Sequence, residues 1–194
     1  MKATDDLQKP KKYYKLSQYD TVNGIIGHEC VNELIADRLL NILENETPMD
    51  FCIRNGWEKY VYEMLVVDFL ILNRDRHGAN IEVLRNSKEK TLRLAPVFDH
   101  GLSLLFSCQT EKAVDEFDVM QDRPIQCFVG GNSAQKNLEL IPKKELPQFH
   151  PLKEEHRNEL LGGLEGIVPQ YLLDKIWDMI WERWLYYEDF CNQK

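Results

Sequence analysis

From Trp57 to Leu72 the chain is apolar on nearly every face of a helix. Met64-Leu65-Val66-Val67 and Phe69-Leu70-Ile71-Leu72 flank a lone acid, Asp68. An apolar surface all round has to be covered all round, so this segment predicts the buried central helix of an α-rich domain. Its apolar run is too short to cross a bilayer. With 194 residues, the chain has length for one domain, or a domain with a small appendage.

The cover for that helix is visible elsewhere. Tyr171 to Phe190 reads as an amphipathic helix, with Leu173, Ile176, Trp177, Ile180, Trp181 and Trp184 along one stripe. Those tryptophans read as core. Gly27 to Glu44 reads as another helix, with Val31, Leu34, Ile35, Leu39 and Ile42 at helical spacing, and Thr47-Pro48 breaks the chain after it. Tyr13-Tyr14-Lys15-Leu16 suits a short strand. Ile81–Leu84 and Thr91–Leu94 flank the turn-forming Asn86-Ser87-Lys88-Glu89-Lys90, the pattern of a β-hairpin. Residues 107–152 read as irregular, punctuated by Pro124, Gly130-Gly131, Pro142, Pro147 and Pro151. Residues 1–12 read as a solvated tail without the apolar core of a secretion signal.

Charge and cysteine use narrow the function classes. The net charge of −8 disfavours a groove that neutralises nucleic-acid phosphates, so contact with DNA would run through a partner. The five cysteines, at 30, 52, 108, 127 and 191, are odd in number and scattered, as expected of reduced thiols in a cytoplasm. His28 and Cys30 have no neighbours in sequence that would complete a zinc site.

The chemistry concentrates in two polar stretches. Leu72-Asn73-Arg74-Asp75-Arg76-His77-Gly78-Ala79-Asn80 leaves the central helix and enters the hairpin, and Ala95-Pro96-Val97-Phe98-Asp99-His100-Gly101 leaves it. A strand pair between two loops is a way to converge Asp75, Asn80 and Asp99, although they span 25 positions. Phosphoryl transfer needs such a set: a carboxylate to orient and deprotonate the attacking hydroxyl, and hard oxygen ligands to hold Mg²⁺ against nucleotide phosphates. Asp75 and Asn80 have the D-x-x-x-x-N spacing, and Asp99-His100-Gly101 the D-x-G form, in the order protein kinases use. Asn73-x-Asp75-x-His77-Gly78 opens like an EF-hand loop, but its twelfth position is Leu84 where glutamate is needed. There is no G-x-x-x-x-G-K-[ST] phosphate loop.

Asp68–Asn80 and Leu94–Gly101 resemble the HipA-like kinases, bacterial serine/threonine kinases with a protein-kinase-like fold, several of them toxins of toxin–antitoxin pairs. The Asp-Arg-His-x-x-Asn phrase is also similar to that of phosphoinositide kinases, while Ala-Pro-x-x-Asp favours the HipA side. The resemblance covers residues 13–105 and is most specific over 68–101. It implies an α+β fold, predominantly α: a large lobe of the HipA C-terminal type at 57–194 and a rudimentary small lobe at 1–56. It implies ATP and Mg²⁺ as cofactors and a serine or threonine acceptor, with a protein substrate or partner protein, an antitoxin-type partner among them, in the cytoplasm. By the same resemblance Asp75 is the catalytic base, Asn80 and Asp99 hold the metal, and Lys15 contacts the α- and β-phosphates. Glu33 is then the helix partner of Lys15, and Glu29, one turn earlier, is the alternative. His77 braces the loop. Asp68 either pins the catalytic-loop backbone or faces solvent, since a buried carboxylate needs partners.

The pattern departs from a kinase in its first part. No glycine precedes Gly24, so the glycine-rich phosphate cover is missing. Between Asn45 and Gly56 there is space for one short strand, and Asp50-Phe51-Cys52-Ile53 is the candidate. A clipped adenine pocket predicts weakened nucleotide affinity. Two rivals follow: a degenerate kinase fold serving as a binding or regulatory module, and a metal-dependent hydrolase built from Asp75, His77, Asp99 and His100.

Overall fold

The computed structural model describes residues 13–15, 19–20, 25–26, 47–86 and 91–193. The expected tail, the helix from Gly27 to Glu44, Glu29 and Glu33 lie outside the described residues. Among the described residues helix takes the larger share and strand the smaller, a mixed α and β composition in which helix predominates. No helix among the described residues is long and apolar enough to cross a membrane. Two compact units emerge. The first takes the described residues up to Val61, with Arg76–Asp99 and Gln126–Gly130; the second takes Tyr62–Asp75, His100–Ile125 and the chain from Gly131.

The first unit contains a helix, Pro48–Arg54, where a strand was expected over Asp50–Ile53. The reason is local. Thr47 Oγ1 accepts the Asp50 N–H at 3.1 Å, the Asp50 carboxylate accepts the Thr47 N–H at 3.2 Å, and Pro48 stands at the first helical position. Reciprocal caps and a proline with preset φ start a helix; they do not merely end the previous one. Phe51 and Cys52 point inward and are fully buried, and the Phe51 ring meets Trp57 edge-on at 5.6 Å.

The same unit holds a three-stranded antiparallel sheet in the order Tyr13–Lys15, Glu82–Asn86, Thr91–Leu94. The expected hairpin is present, one residue later at its start, with Val83 opposite Leu94 and Asn86 opposite Thr91. Val83 and Leu94 are both buried. The outer strand pairs Tyr13 with Leu84 and Lys15 with Glu82, a register that local sequence does not encode. Tyr60 stitches the helix side to the strand exit by donating its hydroxyl to the Ala95 carbonyl at 2.7 Å.

The central helix runs Glu58–Leu70, and Val61, Tyr62, Met64, Leu65, Val66, Asp68 and Phe69 are buried along it. In the second unit the long helix Gln170–Gln193 supplies Ile176, Trp177 and Met179 to a core completed by Leu72, Leu105, Val114, Phe117, Val119 and Leu161. The tryptophan stripe is core, as its spacing predicts. Trp177 and Trp184 are buried, and Trp181 packs on Trp177 at 5.6 Å. The segment 107–152 is mostly irregular. It holds two short capped helices, Glu111–Asp115 under Thr110 and Ala134–Asn137 under Ser133.

One buried cation organises this unit. Arg183 is 2% exposed and donates to the carbonyls of Val119 (2.8 Å) and Phe69 (2.9 Å), with a longer contact to Gln121 (3.5 Å). Burial lowers its guanidinium to about 10, still a cation at neutral pH. Carbonyl dipoles, not a carboxylate, are its hydrogen-bond acceptors, and they join the central helix to an irregular segment that has no ladder of its own.

Candidate active site

The polar loop begins with an unusual helix end. Asn73 N–H reaches the Asp68 carbonyl at 2.8 Å and Leu72 N–H the Phe69 carbonyl at 3.2 Å, the two bonds of a Schellman motif. That motif places one residue in the left-handed region, where glycine is usual. Here it is Leu72, with φ 50°. Leu72 is 1% exposed and belongs to the core of the second unit, so apolar burial holds a leucine in a conformation it disfavours.

The chain then turns through Asn73, which is fully buried. Its Nδ2 donates to Asp68 Oδ1 at 2.9 Å, and its Oδ1 accepts the Asp75 N–H at 3.2 Å. Asp68 therefore pins the loop, one of the two roles its place in an apolar helix allowed. It is 4% exposed and reaches the Asp75 backbone through one intervening amide.

Bonds lace this loop to the stretch around Asp99. In the second unit Leu104 N–H donates to the Ile71 carbonyl at 2.7 Å and Arg74 N–H to the Leu102 carbonyl at 3.1 Å. In the first unit Arg76 Nη1 donates to the Phe98 carbonyl at 2.7 Å, and Phe128 N–H to the Arg76 carbonyl at 2.8 Å. In sequence these bonds bracket Asp75 on one stretch and Asp99-His100-Gly101 on the other. Asp99 itself has φ 57°, a left-handed conformation. Such a backbone costs roughly 1–3 kcal/mol, and it persists only where the surroundings determine it.

The candidate residues divide as follows. Asp75 is half-buried and ends a stretch of the second unit. Asn80 is buried in the first unit, in a short 3-10 turn, Gly78–Asn80, whose last N–H donates to the His77 carbonyl at 2.9 Å. Asp99 is exposed in the same unit. The strand of Lys15 passes that turn with Cα atoms within 8 Å, so the fold draws position 15 to the neighbourhood of Asn80 across 65 positions of sequence. His77 is half-buried. The described residues gather no cluster of three or more His, Cys, Asp or Glu of the kind a hydrolase centre at Asp75, His77, Asp99 and His100 needs.

Chemically, Asp75, Asn80 and Asp99 offer only oxygen donors on their acceptor sides. That suits a hard divalent cation and a hydroxyl nucleophile, and does not suit a soft metal. Sequence reasoning missed Asn73 and Arg76. The signal for Asn73 was its five-residue spacing from Asp68 across a helix end. Arg76 gave no local signal, because its Nη1 donates to a carbonyl 22 positions away.

No protein-family model matches the chain. A serine/threonine-protein kinase, CtkA of Helicobacter pylori, is 27% identical to it over 124 residues, covering 62% of this chain and 36% of the relative. A crystal structure of a Helicobacter pylori proinflammatory kinase CtkA aligns with a TM-score of 0.49 at 16% identity, over 89% of this chain and 66% of that one. The chain thus spans little more than a third of the length of the curated relative it matches, and over that span its sequence is similar to a serine/threonine kinase.

Proposed function

We propose that the chain is an ATP- and Mg²⁺-dependent phosphotransferase, a serine/threonine protein kinase of the HipA-like kind. The observation that carries this is the pair of laced loops. Arg76, next to Asp75 in sequence, holds the carbonyl just before Asp99, and Asp99 stands in a strained left-handed backbone. Similarity to a serine/threonine kinase over 62% of the chain supports the same reading.

In this reading Asp75 accepts the proton of the acceptor hydroxyl. The Asn73 amide accepts the Asp75 N–H at 3.2 Å and so helps to position the backbone that carries the carboxylate. Asn80 and Asp99 hold Mg²⁺, which neutralises charge on the nucleotide phosphates when bound. Lys15 binds the α- and β-phosphates, supported by the passage of its strand beside the Asn80 turn, with Glu33 as its partner. The acceptor is a serine or threonine on a protein, and an antitoxin-type protein is a further partner. The net charge of −8 supports protein over nucleic acid as the partner, in the cytoplasm and away from membranes.

A second reading rests on one observation. The segment available for an adenine-holding hinge strand is the capped helix Pro48–Arg54. That favours a kinase fold kept as a binding or regulatory module.

Thermal-shift titration with ATP, with and without Mg²⁺, separates the two. Nucleotide at about 100 times its dissociation constant adds roughly 2.7 kcal/mol. For a chain of this size that is roughly 5–10 °C. The expected result is a Mg²⁺-dependent shift, lost in Asp99→Asn and kept in Asp75→Asn, which binds nucleotide but transfers no phosphate. No shift in the wild type at millimolar ATP rejects the kinase reading in favour of the module.

A further inference from the structure

Arg76 is fully buried, and all that follows about it lies within the first unit. Burying a guanidinium is unfavourable unless its donors are met, and a volume-filling methionine or leucine would avoid the difficulty. The structure keeps the charge and directs one of its donors at the backbone beside Asp99. Nη1 donates to the Phe98 carbonyl at 2.7 Å, the short end of the range for a charge-assisted bond. The residue is anchored at its other end, since its own carbonyl accepts the Phe128 N–H at 2.8 Å. Burial of the side chain, together with this backbone anchor, limits how far the Arg76 guanidinium can follow the Phe98 carbonyl if that peptide rotates.

The restraint falls on a sensitive bond. The peptide plane that contains the Phe98 carbonyl also contains the Asp99 nitrogen, so its orientation sets φ of Asp99. That angle is 57°, in the left-handed region, which aspartate tolerates better than most side chains but which still costs more than the ordinary backbone regions. Phe98 is 36% exposed, so its own side chain offers little restraint from the core. A fixed guanidinium on the preceding carbonyl is a restraint that does act there.

We propose that Arg76 is a positioning residue for metal binding. It clamps the Phe98–Asp99 peptide, holds Asp99 in the left-handed backbone, and so presents the Asp99 carboxylate to Mg²⁺. The inference deepens the phosphotransferase reading and rests on it. It assigns to Arg76 a part in the affinity for the metal, with no contact to nucleotide or acceptor.

The test is a Mg²⁺ titration of nucleotide binding on the full chain, for the wild type, Arg76→Met and Arg76→Lys. Nucleotide affinity without magnesium and the ligand-free melting temperature are measured alongside. Loss of a residue that orients a metal ligand lowers metal affinity about tenfold to a hundredfold. Arg76→Met is expected near the upper end. Arg76→Lys keeps the charge and a donor for the Phe98 carbonyl but loses the planar fork, and is expected near tenfold. In both, the full response returns at high Mg²⁺, and magnesium-free nucleotide affinity is unchanged. Should Arg76→Met fail to fold, Arg76→Lys decides alone. An unchanged Mg²⁺ midpoint in a folded variant overturns the inference, whatever the loss of amplitude. So does a parallel loss of magnesium-free affinity, because that marks general distortion. A wild type with no Mg²⁺-dependent response removes the site itself, and the phosphotransferase reading falls with the inference; a responsive wild type with unmoved variants sinks the inference alone.

Discussion

Asn73→Ala cuts the link between the central helix and the backbone of Asp75, and its cost follows from the two bonds removed. The Nδ2 bond to the buried Asp68 carboxylate, at 2.9 Å, involves a charged acceptor and contributes about 1.5–3 kcal/mol. The bond from Asp75 N–H to Oδ1 is 3.2 Å long, so it is weighted at the low end for a neutral pair, about 0.5 kcal/mol. Asn73 is fully buried, so water does not replace either partner without opening the loop. The sum is about 2–3.5 kcal/mol, measured as a shift in urea midpoint at constant m-value. A double-mutant cycle with Asp68→Ala isolates the charged bond, and its coupling should be about 1.5–3 kcal/mol. In the phosphotransferase reading, the folded fraction of Asn73→Ala loses turnover because the Asp75 backbone is released. A variant within about 0.5 kcal/mol of the wild type, or a cycle with no coupling, refutes the claim that Asp68 pins this loop.

Two further outcomes test the fold. Leu72→Ala should destabilise by about 2–4 kcal/mol through the cavity it leaves in the core. Leu72→Gly loses the same side chain but relaxes the φ of 50°, so it should be more stable than Leu72→Ala by about 1 kcal/mol. Equilibrium unfolding that ranks alanine above glycine would contradict a left-handed Leu72. Asp174 accepts from Gln170 Nε2 at 2.8 Å and from Arg157, and the two bonds hold its carboxyl below the ordinary value of 3.8. A carboxyl that binds its proton less tightly when folded stabilises above its unfolded pKa. That contribution is complete above about pH 4 and fades as pH falls through the lowered value. Melting temperature followed from pH 2 to 5 should fall less steeply in Gln170→Ala than in the wild type. The difference should be small and salt-sensitive, because the Asp174 side chain is 49% exposed. Parallel profiles would mean that the contact contributes nothing.

The sequence alone determined the elements whose causes are local. Apolar residues at helical spacing or all round predicted the central and long helices, and two short runs flanking a polar turn predicted the hairpin. The capping box at Thr47 and Asp50 was equally local; reading Thr47-Pro48 only as a break hid the helix it starts. The spacing of Asp75, Asn80 and Asp99 marked the stretch to which the proposed chemistry is assigned, because residue types and short offsets survive in one dimension. Tertiary structure decided what depends on distant partners. Lys15 pairs with Glu82 by a register that no neighbouring residue dictates. Arg76 and Arg183 are charged residues that a sequence places at the surface. Both are buried, and carbonyls 22 and 64 positions away are among the acceptors of their donors. Leu72 occupies a glycine position because core packing outweighs a backbone preference. In each of these cases the deciding energy is a contact between parts of the chain far apart in sequence, and only the folded backbone brings them within its few-ångström range.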